Sequence, residues 1–201
     1  MQTTHMFQEL LVEQFVVGPL NNNLYVLSTE DHTDALLIDA TGDDPELLRR
    51  LVERGVTHAL ITHGHHDHVG GVAELRRRGV QVLVSEGDAP LLAGYDATVV
   101  DKEVIRIGDI FVQVLVTPGH TPGSICIAVE GHHVLFTGDT LFPGGPGATS
   151  FPGGDFPAIV RSLECLFGMF DDGTVVFPGH GAATTIGAEA GSLDDWVARG
   201  W

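Results

Sequence analysis

Residues 60–71 have the sequence Leu-Ile-Thr-His-Gly-His-His-Asp-His-Val-Gly-Gly, and this segment decides the fold. An apolar strand ends in its first part, and a helix is predicted to begin in its second part. His63 and His65 are two residues apart in extended chain, so their side chains can point in the same direction. Asp67 and His68 fall where the helix begins, so the turn can direct them toward a second position. One short turn can therefore supply ligands to two metal ions.

Three further candidate ligands occur later in the chain, namely His120, Asp139 and His180. Each closely follows an apolar run and comes directly after a glycine, which lets the backbone turn sharply where a strand ends. Imidazole and carboxylate ligands without thiolate suit zinc, iron or manganese. We expect two metal ions with Asp139 bridging them. The ligand groups are His63, His65 and His120 for the first ion, and Asp67, His68 and His180 for the second.

Apolar runs rich in β-branched residues recur along the chain between turn residues, a pattern typical of strands. Three other stretches have the apolar spacing of helices. The predicted strands are 13–17, 23–27, 35–39, 59–62, 80–85, 110–117, 124–129, 134–137 and 175–177. The predicted helices are 44–54, 67–77 and 155–167, and the Gly- and Pro-rich stretch 143–157 is predicted to be irregular. This order favours two sheets enclosed between helices.

The composition indicates one globular domain, spanning 1–201, and excludes several classes of partner. Ten Lys and Arg against 27 Asp and Glu give a net charge of −17, which repels nucleic acid and anionic lipid alike. The N-terminal residues have no basic region followed by an apolar run, and no apolar stretch reaches the roughly 20 residues that span a bilayer. We therefore expect a cytoplasmic protein with no membrane partner. We expect Cys126 and Cys165 to be small buried hydrophobic residues and not a disulfide.

The segment His63-Gly64-His65-His66-Asp67-His68 resembles the His-x-His-x-Asp-His signature of the metallo-β-lactamase superfamily. The similarity continues, in the order of that family, through residues 117–123, 138–142 and 178–181. It therefore covers essentially the whole chain. The resemblance implies an α/β (α+β) fold, a single-domain, four-layer αββα sandwich with the metals at one edge of its two sheets.

Within the superfamily the chain looks most like the glyoxalase II group, the hydroxyacylglutathione hydrolases. The similarity rests on Gly-Asp-Thr-Leu-Phe at residues 138–142 and Phe-Pro-Gly-His-Gly at residues 177–181. It implies a metal-dependent hydrolase that cleaves a thioester by attack of metal-bound hydroxide. The cofactors implied are two divalent metal ions, expected to be zinc, with iron or manganese as alternatives. The catalytic residues implied are Asp67, which orients the hydroxide or accepts its proton, and Asp139, which bridges the metals.

The loop that follows the bridging aspartate is where we expect the substrate to be selected. Ala148 stands where glyoxalase II enzymes have Lys, and their relatives Arg, that helps to bind the thiol carrier. We therefore expect a small-molecule substrate, and S-lactoylglutathione to be a poor one. The candidate substrate-loop residues are Phe142, Gly147, Ala148 and Thr149.

The region around the last ligand departs from the glutathione-using members in two further ways. Gly181-Ala182 follows His180 where those members have Glu-Tyr. The sequence also ends about twenty residues after His180, so we expect it to lack the C-terminal helical domain that holds glutathione.

Three alternative functions stay open at this point. A persulfide dioxygenase of the same superfamily is expected to keep similar residues but to use one iron held by His63, His120 and Asp139. A lactone or small-ester hydrolase would use the same centre. A metal-binding scaffold without turnover is disfavoured by the complete ligand set and its open Gly-rich rim. A homodimer is an expectation that rests on the family alone.

Overall fold

The computed structural model describes residues 2–29, 34–42 and 44–200. Strands and helices are numbered here in chain order. The strands are β1 (Gln2–Phe7), β2 (Leu10–Val17), β3 (Asn22–Ser28), β4 (Ala35–Ile38), β5 (Val56–Ile61), β6 (Gln81–Ser85), β7 (Ala97–Val99), β8 (Val104–Ile107), β9 (Ile110–Val116), β10 (Ile125–Val129), β11 (Val134–Gly138), β12 (Leu141–Phe142), β13 (Gly145–Pro146), β14 (Val175–Pro178) and β15 (Thr184–Thr185). The helices are α1 (Pro45–Glu53), α2 (His66–Val69), α3 (Val72–Arg77), α4 (Phe156–Met169), α5 (Ile186–Ala190) and α6 (Leu193–Arg199), with a 3-10 turn at Ala89–Leu91.

The first sheet has the strand order β1-β2-β3-β4-β5-β6-β7. Its first four strands pair antiparallel, and the pairs from β4 to β7 are parallel. The strands pair in parallel where helices lie between them in the sequence, because a parallel pair needs a long crossover connection. Helix α1 makes that crossover between β4 and β5, and α2 with α3 makes it between β5 and β6.

The second sheet has the order β15-β14-β11-β10-β9-β8, and β12 pairs with β13 in a separate small ribbon. Strands β9 and β11 both run antiparallel to β10, and β14 runs parallel to β11. Strands β9, β11 and β14 therefore run in one direction. Their carboxyl ends meet at the same edge of the sheet.

Three apolar clusters hold the layers together. Side chains from both sheets, among them Leu60 and Phe136, form the central cluster. Leu48 of α1 and Leu75 of α3 pack on the outer face of the first sheet. Trp196 of α6 packs on the outer face of the second sheet together with residues of α4. The layers are helix, sheet, sheet and helix, so the expected αββα sandwich is confirmed.

The two sheets are also joined by hydrogen bonds between β3 and the end of β14. The Asn23 amide donates to the Gly179 carbonyl over 2.7 Å, and the Tyr25 hydroxyl donates to the Pro178 carbonyl over 2.7 Å. Tyr25 is 2% exposed, so this hydroxyl needs a partner within the protein. An early strand and a late strand are thereby fixed to each other beside the ligand-bearing edge.

Each predicted strand overlaps an observed one, and two predicted helices are confirmed with their caps. The Asp44 side chain accepts from the Leu47 amide at the start of α1, and the Asp155 side chain accepts from the Ala158 amide at the start of α4. Both aspartates satisfy amides that the first turn of a helix leaves free. Helix α4 begins at Phe156, so the predicted irregular stretch 143–157 is slightly too long, and it also contains β13.

The predicted helix 67–77 is wrong as one element, because it is broken into α2 and α3. The break lies at Gly70, which packs directly on the backbone of Gly42. A Cβ on Gly70 would lie 2.9 Å from the Gly42 nitrogen, which real Cβ atoms do not tolerate. The carbonyl of Ala40 accepts the Gly71 amide at the same place. The break therefore lets the helix lie against the end of β4.

The elements absent from the sequence prediction are short, exposed at an edge, or polar. Strand β1 is largely exposed at the edge of the first sheet, and its sequence has no continuous apolar run. The expectation that Cys126 is buried is confirmed. The same expectation for Cys165 is wrong, because this residue lies exposed on α4. Among the described residues, no helix combines the length and the hydrophobicity that crossing a membrane requires.

Candidate metal centre

The seven predicted ligands all lie at one edge of the sandwich. His63 and His65 follow β5 directly, and Asp67 and His68 lie in the short α2 after them. The other three follow the carboxyl ends of β9, β11 and β14. They are His120, Asp139 and His180. The convergence follows from the common direction of these strands, as the sequence predicts.

The first predicted group, His63, His65 and His120, is brought together within 4.8 Å between ligand atoms. His65 Nδ1 and His120 Nε2 are 2.9 Å apart. His63 Nε2 is buried and has no hydrogen-bond partner in the described protein. These three nitrogen atoms face a common point.

The second predicted group, Asp67, His68 and His180, is equally close. His68 Nε2 is 3.2 Å from His180 Nε2, and His180 Nε2 is 3.4 Å from Asp67 Oδ2. The nitrogen atoms of this group are Nε2 atoms, whereas His65 in the first group presents Nδ1.

Asp139 lies between the two groups. Its Oδ2 is 3.5 Å from His120 Nε2 in the first group and 3.6 Å from His180 Nε2 in the second group, and its Oδ1 is 3.6 Å from His68 Nε2 in the second group. The carboxylate therefore lies close to nitrogen atoms of both groups, and its Oδ2 lies between them. A carboxylate between the two groups is compatible with the bridging role expected of Asp139.

The donor atoms fit bound cations. Besides His63 Nε2, Asp139 Oδ1 is buried without a hydrogen-bond partner in the described protein. A buried polar atom without a partner costs free energy on the order of 1–3 kcal/mol, and more for a charged group. Divalent cations held by the two groups would satisfy both atoms. The cluster is therefore a site for divalent metal, and its donor set does not distinguish zinc from iron.

Neighbouring acceptors fix the ring orientation of three histidines. His68 Nδ1 lies 2.8 Å from the Asp39 carboxylate. His120 Nδ1 donates to the Ala148 carbonyl over 2.7 Å, and His180 Nδ1 donates to the Leu20 carbonyl over 3.1 Å. In each case the second ring nitrogen is left to face the cluster, as is usual for metal-binding histidine.

Burial and neighbouring charges divide the protonation states of the histidines. Burial, with the other imidazoles, holds the pKa of His63 well below its usual value, and burial also lowers the pKa of His65. Burial alone would lower the pKa of His68, but the Asp39 carboxylate raises it to about 9. Metal binding at His68 would therefore release a proton.

Asp67 has two polar neighbours that stabilise its charge. Burial by itself raises the pKa of this carboxyl, but hydrogen bonds from His180 and Asn22 bring it far below its usual range. The Asn22 side-chain amide donates to Asp67 Oδ2 over 2.9 Å. Asp67 is therefore ionised at neutral pH.

Three residues that support the ligands are not predicted from the sequence. Asp39 ends a predicted strand, and this position was the signal that could have identified it. Asn22 and Asp88 have no local signal, because their partners are far away in the sequence. Asp88 is fully buried and accepts from the Gly64 amide, the Thr121 hydroxyl and the Gly123 amide, each over 2.7 Å. It thereby joins the first ligand turn to the loop that carries His120.

The cluster opens into a pocket of about 330 Å³. None of the four candidate substrate-loop residues is among the described residues that line it. The lining residues are Leu20, His65, His66, Asp67, His120, Asp139, Phe151 and His180. Within the predicted loop 143–157, Phe151 is the described residue that lines the pocket.

The four substrate-loop candidates lie behind or beside the ligands. A Cβ on Gly147 would collide with the Asp139 carbonyl oxygen, and the Ala148 carbonyl accepts from His120. The Phe142 ring lies 6.3 Å from the His180 ring, and Thr149 is two residues before Phe151. Gly147 and Ala148 thus support the ligands Asp139 and His120 through their backbone.

The sequence model of the metallo-beta-lactamase superfamily matches residues 17–180. The chain belongs to the metallo-β-lactamase superfamily. The matched residues include strands of both sheets and all seven ligand positions. Membership and the His/Asp cluster together identify the chain as a member of a metallo-hydrolase superfamily with a divalent-metal centre.

The similar proteins of known name include a hydroxyacylglutathione hydrolase and a structure in a di-iron-bound form. The chain is 34% identical over 182 residues to the hydroxyacylglutathione hydrolase GloC of Haemophilus influenzae, covering 80% of this chain and 86% of that protein. It is similar to the crystal structure of ETHE1 from Myxococcus xanthus, with a TM-score of 0.77 and 30% identity over 92% of this chain and 81% of that chain. It is also similar to TTHA1623 in a di-iron-bound form, with a TM-score of 0.74 and 33% identity over 88% of this chain and 96% of that chain.

Proposed function

We propose that this chain is a dinuclear metal-dependent hydrolase that cleaves a thioester, with zinc as the expected metal. The observation that carries the proposal is the position of Asp139, whose carboxylate lies within 3.6 Å of nitrogen atoms from both complete ligand groups. A mononuclear site would need only one of the two ligand groups. The similarity to a hydroxyacylglutathione hydrolase supports a thioester as substrate, and the di-iron-bound relative supports two metals.

The protein would hold one metal with His63, His65 and His120, and the other with the second group, while Asp139 serves both. When bound, divalent metals lower the pKa of water from about 15.7 toward 7 and polarise a carbonyl group. Hydrolysis forms a carbon–oxygen bond to water and breaks the carbon–sulfur bond, so the products are a carboxylate and a thiol.

Asp67 is the proposed proton acceptor at the centre. It is ionised at neutral pH, and Asn22 holds its Oδ2 in place. A thiol has an ordinary pKa of about 8.5, so it leaves as a thiolate without a dedicated general acid. The exposed His66 at the pocket rim is 3.8 Å from Asp67 and is open to solvent.

The test is a screen of thioesters, lactones and persulfides on protein loaded separately with zinc, iron and manganese. We expect about two metals per chain and hydrolysis of thioesters by the zinc form, while Asp67→Asn should hold the second metal more weakly and lose most of its turnover. Persulfide oxidation with one iron per chain would contradict the proposal. Faster hydrolysis of lactones than of thioesters would keep the centre but replace the substrate class.

A second candidate is a persulfide dioxygenase, which the similarity to ETHE1 supports. His63, His120 and Asp139 would hold a single iron, with His63 Nε2 4.0 Å and His120 Nε2 3.5 Å from Asp139 Oδ2. This candidate leaves the second group without a purpose, although it is as compact as the first. Oxygen uptake on a persulfide by the iron-loaded protein distinguishes the two.

A further inference from the structure

Two large apolar side chains stand exposed beside the polar ligand cluster. Leu20 and Phe151 are each 53% exposed, and both line the metal-site pocket. Exposed apolar side chains that border a concave site mark a place where a ligand binds. The proposed reaction uses neither side chain. Their position therefore needs an explanation of its own.

The two side chains lie against opposite groups of ligands. The Phe151 ring packs edge-on against His65 and His120 of the first group, with centroid distances of 5.6 and 6.3 Å. Leu20 lies at the second group, where its carbonyl oxygen accepts from His180. A substrate centred near Asp139 would thus have an apolar side chain at each end of the cluster.

Apart from the metal centre, the described residues of the pocket offer no Lys or Arg to the carboxylates of a thiol carrier. The carboxylates that line the pocket are Asp67 and Asp139. The whole chain has a net charge of −17, which adds a repulsive field. The carboxylates of a peptide thiol carrier would therefore find no Lys or Arg among the described residues that line this pocket.

We propose that Leu20 and Phe151 are specificity-determining residues that select a small thioester with an apolar aliphatic acyl group on an uncharged thiol. The acyl chain packs between the two side chains, and its burial replaces the ionic contacts that the pocket lacks. This inference rests on the proposed hydrolase function. The inference adds a substrate class to that function.

The test uses S-alkyl thioethers of N-acetylcysteamine, which resemble the substrate but cannot be hydrolysed. Their binding to the zinc-loaded protein is measured by calorimetry for methyl, propyl and pentyl chains. We expect the wild-type affinity to rise about fourfold per added methylene, the equivalent of about 0.8 kcal/mol. Leu20→Ala and Phe151→Ala are expected to reduce this dependence to less than about twofold per methylene.

Phe111→Ala is the matched control, because Phe111 is also exposed but lies at the other end of β9 from His120. It should keep the wild-type dependence on chain length. A flat wild-type series, or a Phe151→Ala variant with the full dependence, would overturn the proposal. So would a pentyl thioether of glutathione, whose carboxylates are remote from the sulfur, if it bound as tightly as the uncharged one.

Turnover of the matching thioesters is measured separately from binding. A chain-length dependence in binding without hydrolysis of any thioester would refute the proposed reaction while supporting the apolar selection. Hydrolysis of thioesters without any dependence on chain length would do the reverse. The two proposals can therefore fail independently.

Discussion

The carboxylate of Asp39 lies 2.8 Å from His68 Nδ1, and both side chains are buried. The same carboxylate accepts from the Thr62 amide and hydroxyl over 2.7 and 2.9 Å. Asp39 therefore connects the end of β4, the end of β5 and a ligand of the second group. Its charge should affect metal affinity and stability in ways that can be separated.

Asp39→Asn should weaken metal binding at the second group by about 10–100-fold, because the ring of His68 loses its charged partner. Competition with a chromogenic chelator measures this affinity. Asp109→Asn removes a carboxylate that is exposed and far from the cluster, and it should leave the affinity unchanged. Equal metal affinity of wild type and Asp39→Asn would contradict the assigned role.

In the metal-free protein the same pair makes stability depend on pH. Burial opposes protonation of His68, but Asp39 raises its pKa to about 9, above the unfolded value of 6.5. The stabilisation is therefore fully present below about pH 6.5 and is lost as the pH rises through about 9. The difference in free energy of unfolding between wild type and Asp39→Asn should shrink over this range, by at most about 3 kcal/mol because Asp139 and Asp67 also raise this pKa. Urea unfolding at pH 6 and pH 9.5 checks it, and a constant difference would be evidence against the pair.

Asp139→Ala should lower the metal content from about two per chain to one or fewer and reduce hydrolysis more than about 100-fold, because both groups lose their shared carboxylate. Elemental analysis and steady-state kinetics measure these effects. Glu164→Ala, which removes an exposed carboxylate on α4, is the control and should change neither value. A fully loaded, active Asp139→Ala protein would exclude the bridging role.

Gly147→Ala should destabilise the protein by about 1–3 kcal/mol, because the new Cβ collides with the Asp139 carbonyl oxygen. Metal affinity should fall as well, since the collision moves a ligand. Gly168→Ala on α4 meets no atom within 4 Å and should stabilise the helix by about 0.5–1 kcal/mol. Thermal unfolding of both variants gives the comparison, and an undisturbed Gly147→Ala protein would mean that this loop is free to move.

The two thiols should differ sharply in reactivity. Burial raises the pKa of Cys126 to about 11, whereas Cys165 is exposed. At pH 8 the folded protein should therefore react with a thiol reagent at one site per chain, and at two sites after unfolding. Cys165→Ser should abolish the reaction of the folded form. Rapid labelling of two thiols in the folded form would show that β10 opens.

The convergence of the seven candidate ligands was predictable because strand ends are visible in the sequence as apolar runs that stop at a turn, and three of the candidates directly follow a glycine at such an end. Asn22 and Asp88 were not predictable. Their carboxylate and amide contacts join segments separated by 24 to 45 residues, which no local pattern records. The break at Gly70 was hidden for a similar reason, since the cause is the backbone of Gly42, which packs against it from another part of the chain. Short edge elements such as β1 lack the apolar run on which strand prediction depends.

The hydrogen bonds from Asn23 and Tyr25 to the end of β14 have a consequence for synthesis in the cell. Asp67 and His68 emerge from the ribosome more than a hundred residues before His180, and until β14 docks on β3 the second group is incomplete. A nascent or truncated chain can gather His63, His65 and His120 but cannot retain a second ion through its own residues. Binding of the second ion would therefore indicate that β14 has docked on β3.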